Sequence, residues 1–193
     1  MKTEKELFFN EREKGLMLKI ARDTLFHYLN TGKILDYDPG VLPDSLLNSH
    51  GVFVSLHKGR ALRGCLGVMQ SDEPLFRQIQ HQVIAASDCD TRFKKVKFSE
   101  LQQLCIEITI LQEMKKIKSI DEIQLGKHGI YIKSRERTGT MLPQVAETTG
   151  WTVEEFLGYC SRDKADIGWD GWKSADLFIY SALVFSEKDL EKY

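Results

Sequence analysis

Apolar residues recur at helical spacing through Leu16, Ile20, Ala21, Leu25 and Leu29, while Lys19, Arg22 and Asp23 fall on the opposite face. That pattern predicts an amphipathic helix. Asn10-Glu11-Arg12-Glu13 opens it as a capping box and Gly32 closes it as a C-terminal cap. Residues 33 to 50, with Pro39-Gly40 and Pro43, read as a connecting loop holding a short turn. The period then changes. Val52 to Leu56 is rich in β-branched and aromatic residues, Gly59-Arg60 is a tight turn, and Ala61 to Met69 is the returning strand of a hairpin. Glu73-Pro74 starts a second helix that runs to about Ser87, with Leu75, Ile79, Val83 and Ala86 as its inner stripe.

Beyond the loop Asp90-Thr91-Arg92-Phe93 and a helical turn at Ser99 to Gln102, Leu104 to Leu111 alternates clearly. Leu104, Ile106, Ile108 and Ile110 make one face, and Cys105, Glu107, Thr109 and Leu111 the other. Met114 to Lys118 reads as an exposed basic edge, Ser119 to Glu122 as a helical turn, and Gly126-Lys127-His128-Gly129 as a tight turn into the strand Ile130 to Lys133. Arg135 to Thr140 reads as a polar hairpin loop, and Pro143 opens a short helix. Thr152-Val153-Glu154-Glu155 is a second capping box before a helix that buries Phe156, Leu157 and Cys160. Asp176 to Ser186 is the last strand and Glu187 to Tyr193 a polar tail. Strands and helices follow no regular βαβ alternation, so the expected class is α+β, with a mainly antiparallel sheet flanked by helices.

A chain of 193 residues has room for one well-buried core, a single domain over 1–193 that can divide into two lobes. Its 27 Lys and Arg against 28 Asp and Glu create no global field that would gather nucleic acid or an anionic membrane. The charged start, Met1 to Glu6, is followed by no apolar run long enough for a signal peptide or a membrane span, which reads as a cytoplasmic protein. Cys65, Cys89, Cys105 and Cys160 are irregularly spaced without a C-x-x-C, and His27, His50, His57, His81 and His128 are scattered. Neither disulfides, nor a metal site, nor a bound cofactor is expected from that spacing.

Chemistry-bearing residue types are crowded into Leu62-Arg63-Gly64-Cys65-Leu66-Gly67. Glycine inside a strand marks a bulge or a close approach, and here glycines flank a cysteine. Strict alternation puts Arg63, Cys65 and Gly67 on one face, making thiol and guanidinium neighbours. One reading is a thiolate whose pKa Arg63 and freed backbone N–H groups lower, or an anion-holding nest. The other is a small buried thiol in a bulge, with Arg63 capping the sheet. Glu107 is unusual in an apolar strand: it is either ion-paired across the sheet or turned toward the same cleft as Arg63 and Cys65. With Gly59-Arg60 as the turn, His57 pairs with Leu62 and falls on the face opposite Cys65, a poor position for a base. His128 reads as a solvent-facing loop residue unless it serves as a proton carrier. Trp169 and Trp172 either seal the core edge or offer a stacking platform.

The hexapeptide resembles the LRGCIG signature of the AMMECR domain family, with Leu66 in place of Ile. The likeness continues through Phe53-Val54-Ser55-Leu56, Asp90-Thr91-Arg92-Phe93, where the family more often has Pro at Thr91, and Ile106-Glu107-Ile108. It extends through Gly126-Lys127-His128-Gly129, Leu142-Pro143-Gln144-Val145 and Gly150-Trp151, to Phe156 and Cys160. The resemblance implies an α+β domain with two lobes and a cleft at the signature segment. It also implies the company of a Memo-type protein and a radical SAM protein, as in the AmmeMemoRadiSam system. Candidate catalytic residues are then Cys65, Arg63, Glu107 and His128, and candidate ligand-binding residues Gly64, Gly67 and Gln144. Three expectations stand: an enzyme using Cys65 as nucleophile or carrier, a non-catalytic partner or ligand-binding module, and a presenter of a nucleobase or RNA using Trp169, Trp172 and the basic 114–118 run. The near-zero net charge counts against the last.

Overall fold

The capping box expected at Asn10 is formed: its side chain accepts from the Glu13 N–H, and the Glu13 carboxylate accepts from the Asn10 N–H. It opens α1 (Glu11–Thr31), which Gly32 ends at φ 71 in the left-handed region. The computed structural model describes residues 9–112 and 114–190, excluding the side chain of Leu190. The charged start and the end of the polar tail lie outside them. The chain divides into two compact units, one taking in Met1–Leu111 and Leu183–Tyr193, the other Gln112–Ala182.

In the first unit, α1 is followed by the short α2 (Asp44–Leu47), the hairpin β1 (Val52–Lys58) and β2 (Ala61–Val68), then α3 (Leu75–Asp88) and β3 (Leu104–Leu111). β1 lies between β2 and β3, antiparallel to both. The alternation read from the sequence decides which face is buried. Val52, Val54 and Leu56 of β1 and Ile106, Ile108 and Ile110 of β3 are fully buried in one cluster with Met17, Ile20 and Leu25 of α1 and Phe76, Ile79 and Val83 of α3. Each such side chain contributes roughly 1.5–3 kcal/mol.

The second unit holds β4 (Lys115–Lys116), β5 (His128–Ser134), β6 (Arg137–Met141), α4 (Pro143–Thr149), α5 (Val153–Tyr159) and most of β7 (Asp176–Ser186). β7 pairs antiparallel with β4 and β5, and β5 with β6. Its core gathers Ile130, Ile132, Phe156, Leu157, Cys160 and Ile179. Arg135 to Thr140 is not a loop: the turn is confined to Arg135-Glu136, with Arg135 at φ 51, and Arg137 already pairs with Ser134. Thr138, Gly139 and Thr140 hide this strand from a hydrophobicity reading.

Leu183–Tyr193 returns the chain to the first unit, where α6 (Glu187–Leu190) replaces the start of the expected polar tail. Glu187 accepts from the Arg22 guanidinium and, at 2.7 Å, from the Ile106 N–H, while Arg22 also donates to the Leu101 and Leu104 carbonyls. Glu187→Gln is expected to cost about 1–2 kcal/mol in denaturant unfolding, because it weakens a charge-assisted pair and leaves Arg22 under-compensated. The α+β class holds, and among the described residues no helix is long and apolar enough to cross a membrane.

Candidate functional site

The signature segment lies on β2, at the edge of the first unit's strands. An edge strand presents unpaired N–H and C=O groups that must be covered. At Cys65 both are covered by one tripeptide. The Cys65 N–H donates to Asp90 Oδ2 at 2.8 Å, and Arg92 Nη2 donates to the Cys65 carbonyl at 3.1 Å. Arg92 also grips both oxygens of Asp90, at 2.9 and 2.7 Å. The Asp90 side chain is only 4% exposed. The Arg92 bonds, against the cost of burial and with help from the Cys65 N–H, hold its carboxyl at about 2.

A β-bulge between Leu56 and His57 rearranges the expected faces. Ser55 pairs with Cys65 and Leu56 with Gly64, but His57 pairs with Leu62, leaving Arg63 as the extra residue. The predicted His57–Leu62 pairing therefore exists, and yet His57 shares the face of Ser55 and Cys65 rather than the opposite one. Arg63 is not the thiol's neighbour in charge. Its guanidinium is spent on Glu100, at 3.0 and 2.9 Å, and on the Lys94 and Lys95 carbonyls. Arg63 and the Lys97 N–H together hold the Glu100 carboxyl at about 2. The cation that acts on Cys65 is Arg92.

The glycines admit parts of the protein itself. A Cβ on Gly64 would sit 2.1 Å from the Ala86 carbonyl oxygen of α3, and one on Gly67 would sit 2.3 Å from the Phe53 ring. Neither has a positive φ. The reading in which they receive a ligand gives way, on the faces where their side chains would project, to close packing of α3 and Phe53.

What remains on the sheet face away from α1 and α3 is a polar row. Ser55 Oγ lies 3.2 Å from Cys65 Sγ; Glu107 on β3 stands opposite Ser55 on the other side; and His57 Nε2 lies 3.8 Å from Glu107 Oε1. Burial pushes the Cys65 thiol up, and the Ser55 bond and Arg92 offset this only in part. At neutral pH the group is a thiol, not the activated thiolate that an adjacent arginine would have made.

His128 and Gln144 belong to the second unit. His128 is not a solvent-facing loop residue: it is buried at the start of β5, its Nδ1 accepting from the Gln124 N–H at 3.1 Å. Gln144 is in the first turn of α4. Trp172 is buried, as a core seal should be, whereas Trp169 is 38% exposed and packs edge-on to Tyr159 beneath the Arg162 guanidinium. Among the described residues, no group of His, Cys, Asp and Glu has the geometry to hold a metal ion.

Reasoning from the sequence missed Ser55, Asp90, Arg92 and Glu100 as parts of this site. A serine in the middle of an apolar strand and an Asp-x-Arg in a loop were the available signals. Neither declares its partner, because the contacts join positions 10 to 37 residues apart.

Residues 18–185 match the AMMECR1 family model. Protein MK0488 of Methanopyrus kandleri is 33% identical, over 93% of this chain and 90% of its own length. Protein PF1979 of Pyrococcus furiosus is 32% identical, over 89% and 87%. Among solved structures, the uncharacterized protein PH0010 from Pyrococcus horikoshii superposes with a TM-score of 0.87 at 28% identity, covering 93% of both chains.

Proposed function

The chain belongs to the AMMECR1 family, and on that premise we propose that it is a binding component of a radical SAM and Memo-associated system. It holds a small ligand or a segment of a partner on the row Cys65–Ser55–Glu107–His57. The partner classes rest on the family resemblance. The observation that carries the rest is the clamp at Cys65, which ties both backbone groups of an edge residue to Asp90 and Arg92 and so fixes the thiol beside Ser55. A rigid row needs little ordering when it binds. The competing reading, Cys65 as nucleophile, requires an acidified thiol, and burial works the other way.

The test is association with the radical SAM and Memo-type proteins at micromolar concentration. Cys65→Ala is expected to keep the complex, and Glu107→Lys, which reverses the row's charge, to weaken it roughly tenfold or more. Absence of association with either protein removes the reading.

Thiol titration separates the two roles of Cys65. In a Cys89→Ser, Cys105→Ser background, the rate of reaction with a disulfide probe is expected to rise only above the ordinary thiol range of about 8.5. A midpoint below neutrality would restore the nucleophile.

A further inference from the structure

Glu107 and His57 are adjacent polar groups whose hydrogen-bonding capacity the described residues leave unmet. Glu107 is half-buried in the middle of β3, its side chain 30% exposed, and among the described residues its one ionic contact is His57 Nε2 at 3.8 Å, too long for a hydrogen bond. His57 Nε2 is itself buried, with no hydrogen-bond partner among the described residues. A partly desolvated carboxylate gains most from a charged N–H donor, and buried polar groups without partners ask for an explanation.

Arg92, Arg63 and Arg22 do not supply the donor. Arg92 is bound to Asp90, Arg63 to Glu100, and Arg22 to Glu187. Each of those carboxylates is matched by its own guanidinium, and Glu107 is not. On the β1 and β2 side it is flanked by Ser55, the Cys65 thiol and the imidazole of His57, and the guanidinium that acts on Cys65, Arg92, is already paired with Asp90. An entering anion would meet the Glu107 carboxyl with Arg92 already committed to Asp90, whereas an entering N–H cation would complete the pattern seen at the other carboxylates.

From this we infer that the row receives a positively charged nitrogen group, an ammonium or a guanidinium, with Glu107 as its acceptor and Ser55 and Cys65 lining its approach. The inference rests on the binding role proposed above and narrows it to a ligand class. It is read on the isolated chain, so its failure leaves the partner association untouched and separately testable.

The experiment records amide and imidazole resonances of the full chain during titration with butylguanidinium, a free singly charged guanidinium, with N-acetylarginine amide, a peptide-borne one, and with N-acetylcitrulline amide, which is neutral and nearly isosteric. Saturable shifts at Ser55, Cys65, Glu107 and His57 are expected with a cationic probe. The citrulline compound should bind roughly tenfold or more weakly, in keeping with a lost charge-assisted bond. Preference between the first two probes tells a free ligand from a side chain of a partner. Glu107→Gln should abolish the difference between cation and neutral probe, and Glu107→Asp should retain it. Should Glu107→Gln fail to fold, the arginine-against-citrulline comparison on the unaltered chain decides alone. Absence of shifts up to about 10 mM, equal binding of the citrulline compound, or an unchanged preference in Glu107→Gln overturns the assignment.

Discussion

Gly64→Ala is expected to lower the unfolding free energy by about 3 kcal/mol. A Cβ there would meet the Ala86 carbonyl oxygen at 2.1 Å and its carbon at 3.1 Å. Both belong to helix backbone, so no side-chain rotation relieves the clash. β2 and α3 must separate, and the buried contacts of Val83 and Ala86 loosen with them. For a chain of 193 residues this corresponds to a fall in Tm of roughly 6–12 °C, readable by calorimetry. A change within about 1 kcal/mol would show that the two elements have slack the geometry denies. Gly67→Ala meets the Phe53 ring at 2.3 Å and the Val52 carbonyl oxygen of β1 at 2.5 Å, so turning the ring alone does not relieve it and a cost of similar order is expected.

Removing the clamp is the second large effect. Asp90→Asn is expected to cost about 2 kcal/mol, the worth of a carboxyl held near 2 instead of its ordinary value of 3.8. The sign follows from the direction of the shift. A depressed carboxyl stabilises the fold above the unfolded pKa near 4, and that contribution is lost as pH falls through 4 toward 2. Glu100, held at about 2 by Arg63 and the Lys97 N–H, acts over the same window. The unaltered chain should therefore lose stability steeply between about pH 4 and 2, and Asp90→Asn should show a shallower acid limb, because part of the loss has already been taken at neutral pH. Urea denaturation across that range measures both. Parallel acid limbs in the two proteins would mean that the Asp90–Arg92 pair contributes nothing net. Because Asp90 also accepts the Cys65 N–H, the same substitution should raise amide exchange at Cys65.

Much of the fold was legible in the chain itself, since its signals are local. The capping boxes at Asn10 and Thr152, the left-handed cap at Gly32, and the alternation of Leu104 to Leu111 depend on neighbours a few residues away, and all are formed as read. The strand Arg137–Met141 was hidden because its threonines and glycine carry no apolar alternation. The site was less legible. Cys65 and Glu107 stand out as residue types, but one inserted residue, Arg63, shifts the register between Leu56 and His57. That bulge brings His57 onto the thiol's face and leaves Arg63 to Glu100, so a strict period of two assigns both residues to the wrong neighbours.

Sequence alone determined the α+β class, the kinship, and the crowding of reactive residue types into one short strand, because propensity, capping and periodicity are short-range properties. Tertiary structure decided what those residues do to one another. Asp90 and Arg92 take the backbone of Cys65, Glu100 takes Arg63, α3 fills the space at Gly64, and among the described residues the ionic contact of Glu107 is an imidazole at 3.8 Å. Pairing of charges and the burial that sets a thiol's acidity depend on distances between remote segments, and those distances exist only once the chain has folded.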